Sequence, residues 1–492
     1  MFVIGYDIGS SSVKAALMDV ESGKIAASAT WPETEMAMSA PQPGWAEQKP
    51  EDWWENIKQA SSKLAKKQPD AMKQVRAVGV TYQMHGLVLV DRDKNVLRPS
   101  IIWCDSRAAE IGDKAFRALG EEYCLSRFLN SPGNFTAAKM RWVKENEPET
   151  YAKIYKMMLP GDYVAMKLTD EISTTSTGLS EGILWDFPEN DIARSLLEHW
   201  DMDEALLADQ KPVFGEQGLV SSKASSELGI PSGIPVTYRA GDQPNNAFSL
   251  NVLHPGEIAA TAGTSGVVYG VMDTPAYDSQ SRVNPFVHVN HSADNPRYGV
   301  LLCVNGTGIL NSWTKKNMTG GVLSYKEMDD MAAEIPAGSE GVCVYPFGNG
   351  AERILNNREP GASIQGLSFN RHDHRHLFRA GQEGIVYALA YGMEIMQEMG
   401  MQMKTIKAGR ANMFLSPVFR EVFIHTTGAD LQLFDTDGSQ GAARGAAVGA
   451  GLYANFDEAF MHLEMLDHFK PESSLTEAYA ESYGRWKENL LK

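Results

Sequence analysis

Two stretches of the chain carry one pattern. FVIGYDIGSSSVKAALMDV (residues 2–20) and GEIAATAGTSGVVYGVMD (residues 256–273) each run apolar strand, glycine-and-hydroxyl turn, apolar strand. A unit repeated at the two ends of so long a separation points to a duplicated fold. The 492 residues exceed what one hydrophobic core ordinarily serves, so two domains are expected. The joint is placed near residues 240–250, with domains over 1–244 and 245–492 and a cleft between them.

The elements around the two stretches fit an α/β layer architecture. After the first hairpin, ESGK turns the chain and IAASATWPE restarts the sheet, which makes an antiparallel meander. PEDWWENIKQASSKLAKK places Trp53 or Trp54, Ile57, Ser61 and Leu64 at helical spacing behind Pro50 at the first helical position. VRAVGVTYQ reads as a buried strand and LVLVDRDKNVLRPSIIW as a polar-tipped hairpin. A helix is expected after Asn134, closing before Pro148. In the second half, QEGIVYALAYGMEIMQEM reads as an amphipathic helix, TIKAGRA as a strand and glycine turn, and GSQGAARGAAVGAGLY as a helix of small residues.

Charge and cysteine usage narrow the classes of function. A net charge of −17 without a basic stripe argues against nucleic acid or an anionic membrane as partner. The four cysteines, Cys104, Cys124, Cys303 and Cys343, show no CxxC spacing and suit reduced thiols. No apolar run approaches the roughly 18–20 residues of a membrane span. The apolar start is broken at Gly5 and Asp7 and lacks a basic region before it, so no signal peptide is expected. A cytoplasmic protein is the expectation.

The two turns, Asp7–Ser12 and Gly263–Gly266, place glycine beside serine or threonine. Backbone N–H groups and hydroxyls can then converge on an anion with no Cβ in the way. Asp7 repels a phosphate, so its use there is to hold a metal ion or its water, as oxygen ligands do for Mg²⁺. One such turn alone is an ordinary hairpin; a pair shifts the reading toward phosphate handling. GxxxxGK[ST], HRD and DFG are all absent, which removes the P-loop and protein-kinase classes.

Three further groups of residues bear chemistry. In YRAGDQPNNAFSL, Asp242 stands on a turn at the expected joint, either as an N-cap for a helix starting near Pro244 or as an acceptor of a substrate proton. YQMHG and WCDSR supply Gln83, His85, Trp103, Asp105 and Arg107 after strand-like segments, the mix of polar groups and aromatic face that a polyol pocket needs. A core tryptophan with an Asp105–Arg107 ion pair is the plain structural alternative. RHDHRH (371–376) reads as a solvated loop rather than a metal site, and His288 and His291 as strand residues. The small residues of GSQGAARGAAVGAGLY suit close helix–sheet packing as well as they suit a ligand.

Taken together, these motifs resemble the FGGY carbohydrate kinases, and within them the xylulokinases. YDIGSSSVK, PGWAEQKPEDWW, VGVTYQMHGLVLVD with RPSIIWCDSR, MLPGDYVAMKLTD, AGDQPNNA, TAGTSG and GARGAAVGAG follow that family's order from about Phe2 to Tyr453. The resemblance implies a two-domain actin-like ATPase (ribonuclease H-like) fold with a central nucleotide and sugar cleft. It implies ATP and Mg²⁺ as cofactors and a small sugar as substrate, by the closest likeness D-xylulose phosphorylated at its 5-hydroxyl. Asp242 matches the catalytic base and Asp7 the acid near metal and phosphates, acting on the metal directly or through its water. Gln83, Met84, His85, Trp103, Asp242 and Gln243 match the sugar side. Ser10, Ser11, Ser12, Gly263 and Thr264 match the phosphate turns, and Gly306, Gly409 and Asn412 the adenosine side. KAGRANMFLSP departs from the family's GGGAxS run, with Arg410 as a newcomer, and GNGAER (348–353) carries one residue more than the family's SGER loop. Family members are often dimers. L-ribulose, L-fuculose, glycerol or another polyol stays open as substrate, as do an actin- or chaperone-type switch and a sugar sensor.

Overall fold

The computed structural model describes residues 1–492, residue 352 by its backbone alone. The chain forms two compact units: Met1–Asn251 with Phe286–Arg297 and Thr436–Leu463, and Val252–Pro285 with Tyr298–Asp435 and Glu464–Lys492. The expected α/β architecture is present in each.

The first unit is built on a five-stranded sheet. Its order is Val236–Gly241, Val75–Tyr82, Phe2–Ile8, Val13–Asp19, Ile25–Trp31. Phe2–Ile8 pairs antiparallel with Val13–Asp19 and parallel with Val75–Tyr82, so it sits in the middle of the sheet. That position explains its near-continuous apolar run, because both of its faces are covered. One face packs under the helix Pro50–Lys67, which buries Trp53, Trp54, Ile57 and Leu64 and joins Ser61 to the Tyr6 hydroxyl at 2.7 Å. The helix Gly438–Gly449 packs on the strands Phe2–Ile8 and Val75–Tyr82. A Cβ on Gly5 or on Gly79 would collide with the backbone of this helix, so the small residues on both sides serve close helix–sheet approach. A segment late in the sequence thus completes the first unit.

The second unit repeats the strand order. Tyr298–Val304, Gly266–Met272, Glu257–Ala262, Thr405–Gly409 and Asp430–Phe434 run side by side, followed by Met465–Phe469. Tyr298–Val304, Gly266–Met272 and Glu257–Ala262 pair antiparallel; Thr405–Gly409 adds parallel beside Glu257–Ala262, and Asp430–Phe434 parallel beside Thr405–Gly409, as Val75–Tyr82 and Val236–Gly241 do in the first unit. The helix His374–Glu398 is buried on nearly all sides rather than amphipathic, since residues 378–393 are without exception inaccessible. It forms the spine of that unit's core, packed by Val268, Leu302 and Phe423.

The hairpin expected over residues 87–103 is present: Leu87 pairs antiparallel with Ile101 and Val90 with Val96, around the polar tip at 91–95. Its buried strands also take outside partners, Val88–Val90 with Lys156–Met158 and Ser100–Ile101 with Glu47–Gln48. Local expectations differ in three places. Gly241, not Asp242, is the N-cap, and Asp242 is the first residue of the helix Asp242–Ser249. His288 and His291 follow the strand Asn284–Val287 instead of lying on it. RHDHRH is not a solvated loop throughout, because the helix starts at His374 and His376 is buried. Among the described residues, no helix is long and apolar enough to cross a membrane.

Candidate functional site

In the first unit, three carboxylates converge on the end of the central strand. Asp7 is the half-buried penultimate residue of the otherwise mostly buried strand Phe2–Ile8, just before the turn. Burial pushes its carboxyl up to about 6, with Asp437 adding to the rise and Lys14 opposing it. Burial, reinforced by the charge of Asp7, lifts Asp242 further, to about 7, although hydrogen bonds from the Gln243 backbone and side chain favour its ionised form. Asp437 caps the helix Gly438–Gly449 through the Gln440 amide at 3.0 Å, and a Cβ on Gly438 would reach the Asp7 carboxylate at 2.5 Å. Asp7 and Asp437 are close enough for their charges to act on each other, and hard carboxylate oxygens are the ligand type that Mg²⁺ takes, so the chemistry of these two residues fits it.

Beside the acids, the strand Val75–Tyr82 is followed by Gln83, Met84 and His85. His85 adopts φ 61°, a left-handed conformation that costs a non-glycine residue energy and fixes its side chain. Its Nδ1 lies 2.9 Å from the Glu181 carbonyl oxygen, and its ring packs on Phe135 and Phe286. Met84 is buried against Gly241, where a Cβ would stand 2.6 Å from Met84 Cγ. Met84 therefore borders the residue preceding Asp242. Gln83 is buried too; its amide nitrogen donates to Gln48 Oε1 at 3.0 Å, while its own Oε1 has no protein partner among the described residues. Gln48 in turn donates to the Ser10 carbonyl at 2.7 Å and accepts from Trp53 at 3.1 Å, which ties the hydroxyl turn to the Met84–His85 loop. Trp103 is 42% exposed and open to a ligand.

Asp105 and Arg107 take the structural alternative. Asp105 is wholly buried, accepts from the Ala46 amide at 2.6 Å and is held by the Arg107 guanidinium at 2.7 Å. Arg107 also pairs with Glu47 at 2.8 Å and lies 3.7 Å over the Trp45 ring. The hydroxyl turn itself is closed by the Gly9 amide donating to the Ser12 carbonyl at 3.0 Å, with Ser11 exposed and Ser10 and Ser12 half-buried.

In the second unit, the matching turn is neutral. Gly263 and Thr264 receive the amides of Gly308 and Ile309 on their carbonyls, at 2.8 and 3.2 Å, so the start of the helix Gly308–Met318 is pinned to the turn. Asn412, at φ 53°, brings its amide beside Gly263, where a Cβ would lie 3.5 Å from Asn412 Nδ2. Gly409 ends its strand directly before this segment. Gly306 has a packing reason to be glycine, because a Cβ there would overlap the Pro346 carbonyl. Arg410 is half-exposed and paired with Asp467 at 3.4 Å.

Elsewhere in this unit, Glu340, His372 and His376 bring one ligand atom each to within 4.8 Å of one another. His372 accepts the Ser368 amide at Nδ1, so in the neutral ring its Nε2 carries the proton, which opposes metal binding there. His376 Nδ1 meets both the amide and the carboxylate of Asp373, at 3.1 and 3.2 Å. Residues the sequence reading passed over are Gln48, Glu181, Asp437 and Lys139. Gln48 was inside a quoted motif; the other three carry no local pattern and become visible only once the fold brings them together. Glu181 is buried, with burial first and the charges of Asp242 and Asp162 next in pushing its carboxyl well up.

Comparison with known proteins bears on the family and the fold. Residues 2–249 match the N-terminal domain of the FGGY family of carbohydrate kinases, and residues 258–454 match its C-terminal domain. The chain is 29% identical over 466 residues to a xylulose kinase of Escherichia coli (strain K12), covering 94% of this chain and 92% of that protein. The crystal structure of a xylulose kinase from Rhodospirillum rubrum superposes with a TM-score of 0.89 at 25% identity, covering 100% and 98% of the two chains. A gluconate kinase from Lactobacillus acidophilus reaches the same TM-score of 0.89 at 21% identity, over 100% and 98%. Likeness at that level concerns the fold, which is the two-domain actin-like ATPase architecture, and leaves the sugar open. With both of its domain models matched in order, the chain belongs to the FGGY family of carbohydrate kinases.

Proposed function

We propose that the protein phosphorylates a ketopentose with ATP, and that the sugar is D-xylulose. The observation that carries the reading is the Asp242 carboxyl, lifted to about 7 at the start of its helix and adjoining buried Met84 through Gly241. A base is most effective when its pKa lies near the working pH, and an ordinary aspartate near ~3.9 is too weak. Burial and the charge of Asp7 raise the Asp242 carboxyl toward that range, which supports the base role. Asp242 accepts the proton of the sugar hydroxyl as the oxygen attacks, while Gln243 orients its carboxylate. Met84, His85 and Trp103 bind the sugar, with Gln83 supporting that loop from within. The sugar side thus falls to the N-terminal domain, the nucleotide side to the C-terminal one. Gly263, Thr264 and Asn412 receive the nucleotide's phosphates and ribose, with Gly306 and Gly409 keeping the backbone close. Asp7 would hold Mg²⁺, which spreads the charge of the transferring phosphoryl group when bound. Ser10, Ser11 and Ser12 offer donors to the phosphates.

Support for the ketopentose comes from Met84–His85 and from the relatives named xylulose kinase. The test is ADP release measured with D-xylulose, L-ribulose, L-fuculose, gluconate, glycerol and no sugar. Release that is strongest with D-xylulose is the expected outcome. Equal release with and without sugar, or a clear preference for gluconate or glycerol, would reject the assignment.

A further inference from the structure

The helix Thr136–Asn146 carries one residue that the mechanism above does not use. Lys139 is wholly buried, and its ammonium donates to the His85 carbonyl at 2.9 Å and the Ile102 carbonyl at 3.0 Å. Burying an ammonium costs several kcal/mol unless the geometry repays it. An apolar side chain of the same length would fill the space without that cost. What only the ammonium supplies here is a clamp on two carbonyls, strengthened because the donor is charged. The nearby Asp105 supports the charge from a distance, but its carboxylate is already taken by Arg107 and the Ala46 amide.

The two clamped peptides are informative. One follows the left-handed His85, whose ring is fixed on its other side by the Glu181 carbonyl and by Phe135. The other joins Ile102 to Trp103, the exposed aromatic. One nitrogen therefore sets the backbone beneath two side chains from segments that are distant in sequence. We propose that Lys139 is a positioning residue for sugar recognition, holding the His85 and Trp103 side chains in register through their backbone. The inference rests on the reading of Met84 and His85 as sugar contacts.

A double-mutant cycle tests it, using the full-length enzyme and initial rates with D-xylulose and ATP varied separately. Lys139→Met is expected to raise the sugar KM by about tenfold or more, the scale of a lost charged hydrogen bond, and to leave the ATP KM within about twofold. His85→Ala is expected to raise the sugar KM as well. The double variant should be no worse than His85→Ala combined with the Trp103 share alone, well short of the product of the two single effects. Lys139→Gln, which keeps one donor, should fall between wild type and Lys139→Met, and it serves the same cycle if Lys139→Met fails to fold. Multiplicative effects, or a Lys139 variant that loses thermal stability and kcat with its sugar KM unchanged, would overturn the inference. If His85→Ala itself leaves the sugar KM unchanged, the sugar-site reading fails, and that outcome is distinct from a normal His85 effect with a silent Lys139.

Discussion

The two units share a strand order and differ in what stands at the strand ends. In the first unit, the central strand closes on Asp7 and Ile8 before a serine turn; in the second, it closes on Thr261 and Ala262 before Gly263 and Thr264. The parallel neighbour of each central strand is followed, three residues past its end, by a residue in the left-handed region: His85 in one, Asn412 in the other. The same scaffold thus presents an acidic set once and a neutral amide-and-hydroxyl set once. Backbone topology supplies the places, and the residue types differ between them. Carboxylates suit a metal ion and a proton, whereas neutral donors suit phosphate oxygens without adding charge.

The largest expected effect breaks the acidic side. Asp242→Asn keeps the shape of the side chain and removes the base, so kcat should fall by about 10²–10⁴-fold, the usual worth of general base catalysis. Sugar affinity, followed by calorimetric titration without nucleotide, should stay near wild type. Near-normal turnover would remove Asp242 from the mechanism. Asp7→Ala comes next, with the Mg·ATP KM expected to rise by about tenfold or more and the sugar KM to change little, as expected for a charge that holds the metal rather than the sugar. Titrating the two ligands separately decides this, and the reverse pattern would exchange the roles of the two acids.

Much of this contrast was legible in the sequence, for a physical reason. The hairpin turns are set by local pattern, apolar runs that need a strand and glycines and hydroxyls that need a turn, and Asp242 stands out on its own turn; the pairing of Met84 with His85 is what the family resemblance implies. What was not legible depends on chain returns. The helix Gly438–Gly449 reads as a packing helix, but nothing local tells that it lies against Gly5 and Gly79. Lys139 and Glu181 look like ordinary helix residues until His85 is placed between them. The Asp105–Arg107 pair kept two readings open because the same residues suit a polyol pocket and a buried ion pair; full burial and the Trp45 contact decide for the latter.

A glycine pair separates packing from binding in the neutral half. Gly306→Ala forces a Cβ into the Pro346 carbonyl and should destabilise the second unit by about 1–3 kcal/mol, the usual cost of overpacking. Gly263→Ala meets Asn412 Nδ2 at 3.5 Å and Ser265 O at 3.8 Å, ordinary contact distances, so its stability should be near wild type. The Gly263→Ala variant should nonetheless raise the ATP KM, because the methyl group occupies space offered to the phosphates. Urea midpoints and ATP kinetics on the pair test both statements. A Gly263→Ala enzyme with normal ATP kinetics would leave the second turn without a binding role.

The smallest effect concerns stability, and its sign follows from the raised carboxyl. In the folded unit Asp242 titrates near about 7, whereas in the unfolded chain it titrates near the ordinary ~3.9. The folded state therefore holds this proton more tightly, and its contribution to stability is fully present below the ordinary value and is lost as pH rises to about 7. Ionised Asp242 thus weakens the fold at pH 8, measured without nucleotide or divalent metal, and Asp242→Asn should relieve it. The variant is expected to melt above wild type at pH 8, where each kcal/mol is worth about 2–4 °C in a domain of this size class. That advantage should shrink steadily as pH falls toward the ordinary carboxylate range. Thr264→Ala, in the neutral turn, should shift Tm by the same amount across that range. A flat difference for Asp242→Asn as well would mean that the two strand ends do not differ in charge burden, and the contrast between the units would lose its energetic basis.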